Sequence, residues 1–152
     1  LPERYGALKK EMRENRVDYA LVLSSYLVNE ARPSVREILE VAVRERPGDP
    51  HIHADLGIIY AALGLHRDAV REARTAMEIL PLSQDAWATW IPEHTAQTYA
   101  RVGDVNAALE LLELLLEIPN GLSIHQLRLE PRWDALRADP RFQELLRRYE
   151  AG

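Results

Sequence analysis

Five histidines, His51, His53, His66, His94 and His125, are the side chains best suited to metal or proton chemistry in this chain. His51 and His53 form the one close pair. Two residues apart on a helix they point about 200° apart and cannot share an ion. They reach a common ion with Asp49 or Asp55 only if the helix begins after His53. The simpler reading makes His53 a packed interior residue. Cysteine is absent, which excludes a disulfide scaffold, thiolate zinc sites, iron–sulfur ligation and a cysteine nucleophile. Ser24 and Ser25 have no histidine near them in sequence to act as a base, so they read as helix serines. The seven glycines never take the spacing of a dinucleotide or phosphate loop, and no HExxH helix or GxSxG elbow occurs. The residue types therefore predict no catalytic constellation, no metal site and no cofactor.

The elements that carry these residues are those of one soluble, globular domain. The chain has 152 residues, 47% of them apolar and 28% charged. Its 19 basic residues against 24 acidic ones leave a net charge of -5, without the basic footprint of a nucleic-acid binder. No apolar run reaches the ~18 residues needed to span a bilayer, and no basic segment followed by an apolar stretch marks a signal peptide. The first residue, Leu1, is the expected start of a processed chain or of a piece of a larger protein.

Self-similarity sets the expected fold. Leu56, Gly57, Tyr60, Leu63, Gly64, Ala69, Ala76 and Pro81 form one frame. A step of 34 residues back places Tyr60 on Tyr26, Ala76 on Ala42 and Pro81 on Pro47. A step of 39 residues forward places Tyr60 on Tyr99, Gly64 on Gly103 and Ala69 on Ala108, with the excess at Gln84 to Ala88. Gly57 and Ala69 are small enough for two helices to cross closely. Gly64 and Gly103 suit the left-handed helix stop, and Pro47 and Pro81 prevent continuation of the helices before them. Helices are predicted near 3–14, 16–30, 34–46, 51–63, 66–80, 93–102, 105–117, 131–138 and 140–150, with Asp104 and Asp139 as N-caps. Leu109, Leu111, Leu112, Leu115, Leu116 and Ile118 make the helix after Asp104 apolar enough to be buried on both sides. Its expected cover is the C-terminal segment, through Leu127, Leu129, Trp133, Leu136, Phe142, Leu145, Leu146 and Tyr149.

This frame resembles the tetratricopeptide repeat (TPR) family, whose period is 34 residues with one helix–turn–helix per repeat. The resemblance implies an all-α, right-handed α-solenoid of three TPR repeats at 16–49, 50–83 and 89–122. Residues 1–15 would form an N-terminal capping helix and 123–152 a C-terminal capping segment, in a single domain. His53 stands where the TPR pattern has Trp, which supports its interior role. Ile118-Pro119, the Pro81 to Ala86 stretch and the tail from Leu127 to Phe142 are similar to the C-terminal TPR region of bacterial multidomain signalling proteins, whose partner domains are serine/threonine kinases, cyclase-like domains or winged-helix regulators. That resemblance implies a cytoplasmic, non-catalytic scaffold.

In TPR solenoids the first helix of each repeat lines the concave face. Carried onto this chain, the groove positions include Ser24, Leu27 and Val28 from the first repeat, His51 and Ile58 from the second, and Trp90, Glu93, Gln97 and Arg101 from the third. Family members that clamp a terminal carboxylate use Lys and Asn at positions that here hold Ala20, Ser24, Ile58 and Gln97. Arg101 alone fits, so a carboxylate clamp is not expected. Two readings remain: the groove is filled internally by Trp87 and Ala88, or it takes an apolar segment of a protein or peptide partner. Self-association as a homodimer is the alternative function. Neither nucleic acid nor membrane insertion is expected. Residues 84–127 hold six acids and one base, Arg101, with Glu110, Glu113 and Glu117 on one helix face. Either Arg128, Arg132 and Arg137 of the tail dock on this acidic repeat or it lies open as a strip for a basic partner.

Overall fold

The computed structural model describes residues 33–81, 89–119 and 121–150. They are all helical, with no strand among the described residues. Helix α1 spans Pro33–Glu45, α2 Pro50–Ala62, α3 His66–Ile79, α4 Trp90–Val102, α5 Val105–Leu116 and α6 Ile124–Leu129. A 3-10 helix covers Pro131–Leu136, and α7 runs Pro140–Glu150. The predicted helices at 3–14 and 16–30 fall outside the described residues.

Helix α2 is the hub. Asp49 caps its N-terminus by accepting from the His51 amide at 2.9 Å, and Pro50 fills its first turn, where no backbone donor is needed. Ile52 to Ala61 are all buried, because α1, α3 and α4 pack around this one helix. From α1, Leu39 and Ala42 enter the core one turn apart. Tyr60 fills the space between α1 and α2, and its hydroxyl donates to Glu40 Oε1 at 2.8 Å. From α3, Ala69, Ala73 and Ala76 form a stripe of small side chains. That stripe lets α3 approach Gly57 so closely that a β-carbon there would sit 3.3 Å from the Ala69 carbonyl oxygen and 3.4 Å from the Ala73 nitrogen.

The two helix-to-helix turns after α2 and α4 have the same construction. Gly64 and Gly103 take positive φ values of 77° and 86°. Each glycine amide donates to an alanine carbonyl, Ala61 or Ala100. The next residue donates to a tyrosine carbonyl, Leu65 to Tyr60 and Asp104 to Tyr99. A side chain in place of either glycine would force a left-handed backbone that L-residues resist. The 39-residue correspondence thus extends to individual hydrogen bonds. Pro47 and Pro81 each lie two residues beyond the end of a helix, α1 and α3.

The C-terminal segment closes the far side of α4 and α5. Leu127, Trp133, Leu136, Phe142, Leu145 and Leu146 bury against Ala96, Ala100, Ala108, Leu112 and Leu115. Four expectations are corrected. Leu129 is 77% exposed and takes no part in this cover. Leu114, also on α5, is 55% exposed, so α5 is covered on part of its circumference only. Residues 131–136 are a 3-10 helix, and the six-residue α6 before it was not predicted. It exists because Ser123 and Gln126 form a reciprocal capping box. Helix α4 begins at Trp90, with Pro92 inside its first turn, where the missing amide hydrogen breaks no bond.

The tail docks on the acidic region through one of the three expected arginines, Arg132, and through Arg148, which was not expected, while Arg128 and Arg137 bond within the tail. Arg132 reaches Glu93 of α4 at 3.4 Å and Glu130 at 2.5 Å, and stacks over the Trp133 ring. Arg148 pairs with Glu113 at 2.6 Å, and the Tyr149 hydroxyl bonds Glu117. Arg128 pairs with Glu150 inside the tail. Arg137 holds the carbonyls of Leu127 and Glu130 at 3.1 and 2.8 Å, which fixes α6 to the 3-10 helix.

Candidate functional site

The N-terminal ends of α2 and α4 are joined by stacked rings. His51 lies flat on Trp90, with centroids 4.3 Å apart and planes 13° from parallel. His94 meets the same indole edge-on at 4.9 Å. Behind it, His94 Nδ1 is 3.5 Å from Asp55 Oδ1, too long for a good hydrogen bond. Both residues are shut from solvent, at 3% and 0% exposure. His51 in turn holds Asp49, Nδ1 to Oδ1, at 3.1 Å.

His53 is buried, as its place in the frame implies, and it is also hydrogen-bonded on both sides. Its Nε2 faces the Pro47 carbonyl at 2.8 Å and its Nδ1 the Glu72 carboxylate at 2.5 Å. His53 therefore ties the turn after α1 to α3 across the start of α2. The five histidines gather no metal site: no group of three or more His, Asp or Glu side chains among the described residues could hold an ion.

Farther along α4, Trp90, Glu93, Gln97 and Arg101 recur at three- and four-residue intervals and share one side of the helix over about 16 Å. Trp90 is half-buried against His51. Glu93 faces Arg132 of the tail. Gln97 is fully buried, and neither its amide nitrogen nor its amide oxygen has a hydrogen-bond partner. Thr98 Oγ1, beside Gly57, is likewise unbonded. Arg101 is half-buried, and burial lowers its pKa from the usual guanidinium value. No carboxylate among the described residues pairs with it. The half-buried Arg101 guanidinium is an unused set of donors for a carbonyl or carboxylate brought from outside, whereas the Gln97 amide is fully buried and offers no surface.

The predicted groove residues divide accordingly. His51 and Trp90 come into direct contact. Trp90, Glu93, Gln97 and Arg101 share the α4 row. Ile58 is fully buried in the core with Leu56 and Ile59, and offers no surface in this structure. Ser24, Leu27 and Val28 lie outside the described residues, as do Trp87 and Ala88, the expected internal filling. Asp55, His94 and Thr98 belong to the same α2–α4 seam; the sequence offers Asp55 only as an ion ligand conditional on a helix start after His53, whereas α2 starts at Pro50, and it gives His94 and Thr98 no role in the groove. A signal was present: Asp55 interrupts an otherwise apolar stretch on a helix buried all round, a placement that is costly unless the group is used. No helix among the described residues is long and apolar enough to cross a membrane.

No family model, curated protein or solved structure matches the chain.

Proposed function

We propose that this chain is a non-catalytic protein-interaction module of TPR type: a right-handed solenoid of three repeats, capped at both ends, that takes a protein or peptide segment along the α2–α4 face. The α4 row carries the proposal. Arg101 holds half-buried donors that the described residues leave unused, and Trp90 supplies an aromatic wall at the other end. The identical turns after α2 and α4, the proline stops and the crossing at Gly57 support the repeat assignment. In this reading the partner lays an apolar stretch beside Trp90 and a polar group on Arg101. The setting implied by the sequence resemblance is the cytoplasmic regulatory arm of a bacterial signalling protein.

The test is selection of peptides from a random display library against the full chain, followed by measured affinity. Arg101→Ala is expected to weaken selected peptides at least tenfold, and to move the Trp90 indole resonance out of the bound position. Ile58 is unsuitable for this test, because its substitution would damage the core. Peptides that bind with unchanged affinity to Arg101→Ala and Trp90→Ala variants would refute the groove reading.

A further inference from the structure

The outer face of α3 bears an open groove of about 650 Å³, lined by Arg67, Val70, Arg71 and Arg74, with Val102 of α4 in its wall. Arg71 pairs with Asp68 and Glu72, whereas Arg67 and Arg74 have no carboxylate partner among the described residues. In a chain of net charge -5 this face is a local excess of positive charge. The outer face of α5 is its counterpart. Glu110, Leu114 and Glu117 are exposed there, and Leu114, at 55% exposure, is one of two large apolar side chains the described residues leave in solvent.

We infer that the α3 groove is the docking site for the α5 face of a second copy of this chain. The two faces match residue by residue when the helices run antiparallel. Arg67 then meets Glu117, Val70 meets Leu114, Arg71 meets Glu113 and Arg74 meets Glu110. Both faces use the i, i+3, i+4, i+7 positions that lie along one side of a helix over about 10 Å. Glu78, the one acid lining the groove, falls opposite Asn106, so the register makes no like-charge pair between α3 and α5 themselves. The parallel register is worse, since it sets Val70 against Glu113 and Arg71 against Leu114. Glu113 and Glu117 already hold Arg148 and Tyr149 of their own tail, so the new contact extends existing pairs there, while Glu110 enters without an ion-pair partner among the described residues. The contact joins two different faces and is heterologous: it builds open chains or rings and does not close at two copies. It is separate from the α2–α4 row and does not depend on a ligand bound there.

The experiment is sedimentation velocity on the full chain from about 10 μM to about 1 mM, in low salt and in about 0.5 M salt. The expected result is a weight-average mass that climbs above the 17.4 kDa monomer with concentration in low salt and falls back in high salt. Two charge reversals, Arg67→Glu/Arg74→Glu and Glu110→Arg/Glu117→Arg, should each weaken association at least tenfold. Mixed together they should associate again, because the reversed face of each variant then meets a complementary face on the other. Leu114→Ser, a change at an exposed site, should weaken association without altering helicity. A chain that stays monomeric to the highest concentration overturns the inference, and so does association that survives either reversal. Binding of an acidic peptide to the α3 face without self-association would also overturn it, by assigning the groove a different occupant.

Discussion

Gln97→Met exchanges a buried amide for a side chain of nearly the same length and volume. The wild-type amide is fully buried, and neither of its polar atoms is bonded. Burying such a group without a partner costs about 1–3 kcal/mol in proteins. Methionine removes that cost and adapts its shape to the site. The free chain should therefore gain about 1–3 kcal/mol. For a domain of this size that is a rise in Tm of about 2–12 °C. Urea denaturation followed by far-UV circular dichroism gives the free energy, and a thermal scan gives the Tm. A loss of 1 kcal/mol or more in Gln97→Met would refute the reasoning, since it would mean that the amide is bonded in the folded chain.

Three further outcomes follow from the packing and the ionisable groups. Gly57→Val places branched carbon against the α3 backbone at Ala69 and Ala73, where even a β-carbon sits at 3.3–3.4 Å, and should destabilise the chain by about 2–4 kcal/mol by urea melt. Trp133→Ala empties the centre of the C-terminal cover and should cost about 3–5 kcal/mol, with protease cutting beyond Asn120 well below the global Tm. The third concerns pH. The Arg36 hydrogen bond, helped by the Tyr60 hydroxyl, holds the Glu40 carboxyl below its usual 4.5, so its stabilising contribution is present above pH 4.5 and is lost as pH falls through the lowered value. Burial, reinforced by Glu40, pushes the Tyr60 hydroxyl up to about 12, so its contribution is full below pH 10 and is lost as pH rises toward 12. Urea melts across both ranges should show both arms in the wild type and a flatter alkaline arm in Tyr60→Phe.

Much of the helix order is legible in the residues because it rests on local chemistry. Gly64 and Gly103 stop their helices through backbone freedom, and Asp104 caps α5 through an oxygen three residues from the amide of Ala107 that it accepts from. Signals of this kind need no partner distant in sequence. Helix α6 was missed because six residues show too little periodicity, although its capping box stood in Ser123 and Gln126. The docking of the tail was legible as a charge balance and not as a pairing. Of the three expected arginines only Arg132 reaches α4, and Arg148 reaches α5 where Arg128 and Arg137 do not, because the turns of the 3-10 helix and α7 decide which way each side chain faces. The candidate site divides in the same way. The spacing on α4 places Trp90, Glu93, Gln97 and Arg101 in one row, while the depth of Gln97 and Ile58 and the ring stack from His51 through Trp90 to His94 depend on how α2 meets α4.

The most direct test of the interaction reading is the affinity of a display-selected peptide for the wild-type chain and for Arg101→Ala, with the peptide's position read from chemical-shift changes. The account predicts changes centred on Trp90, Gln97 and Arg101 and at least a tenfold loss of affinity in Arg101→Ala. Shift changes centred elsewhere, with equal affinity for the two chains, would contradict it.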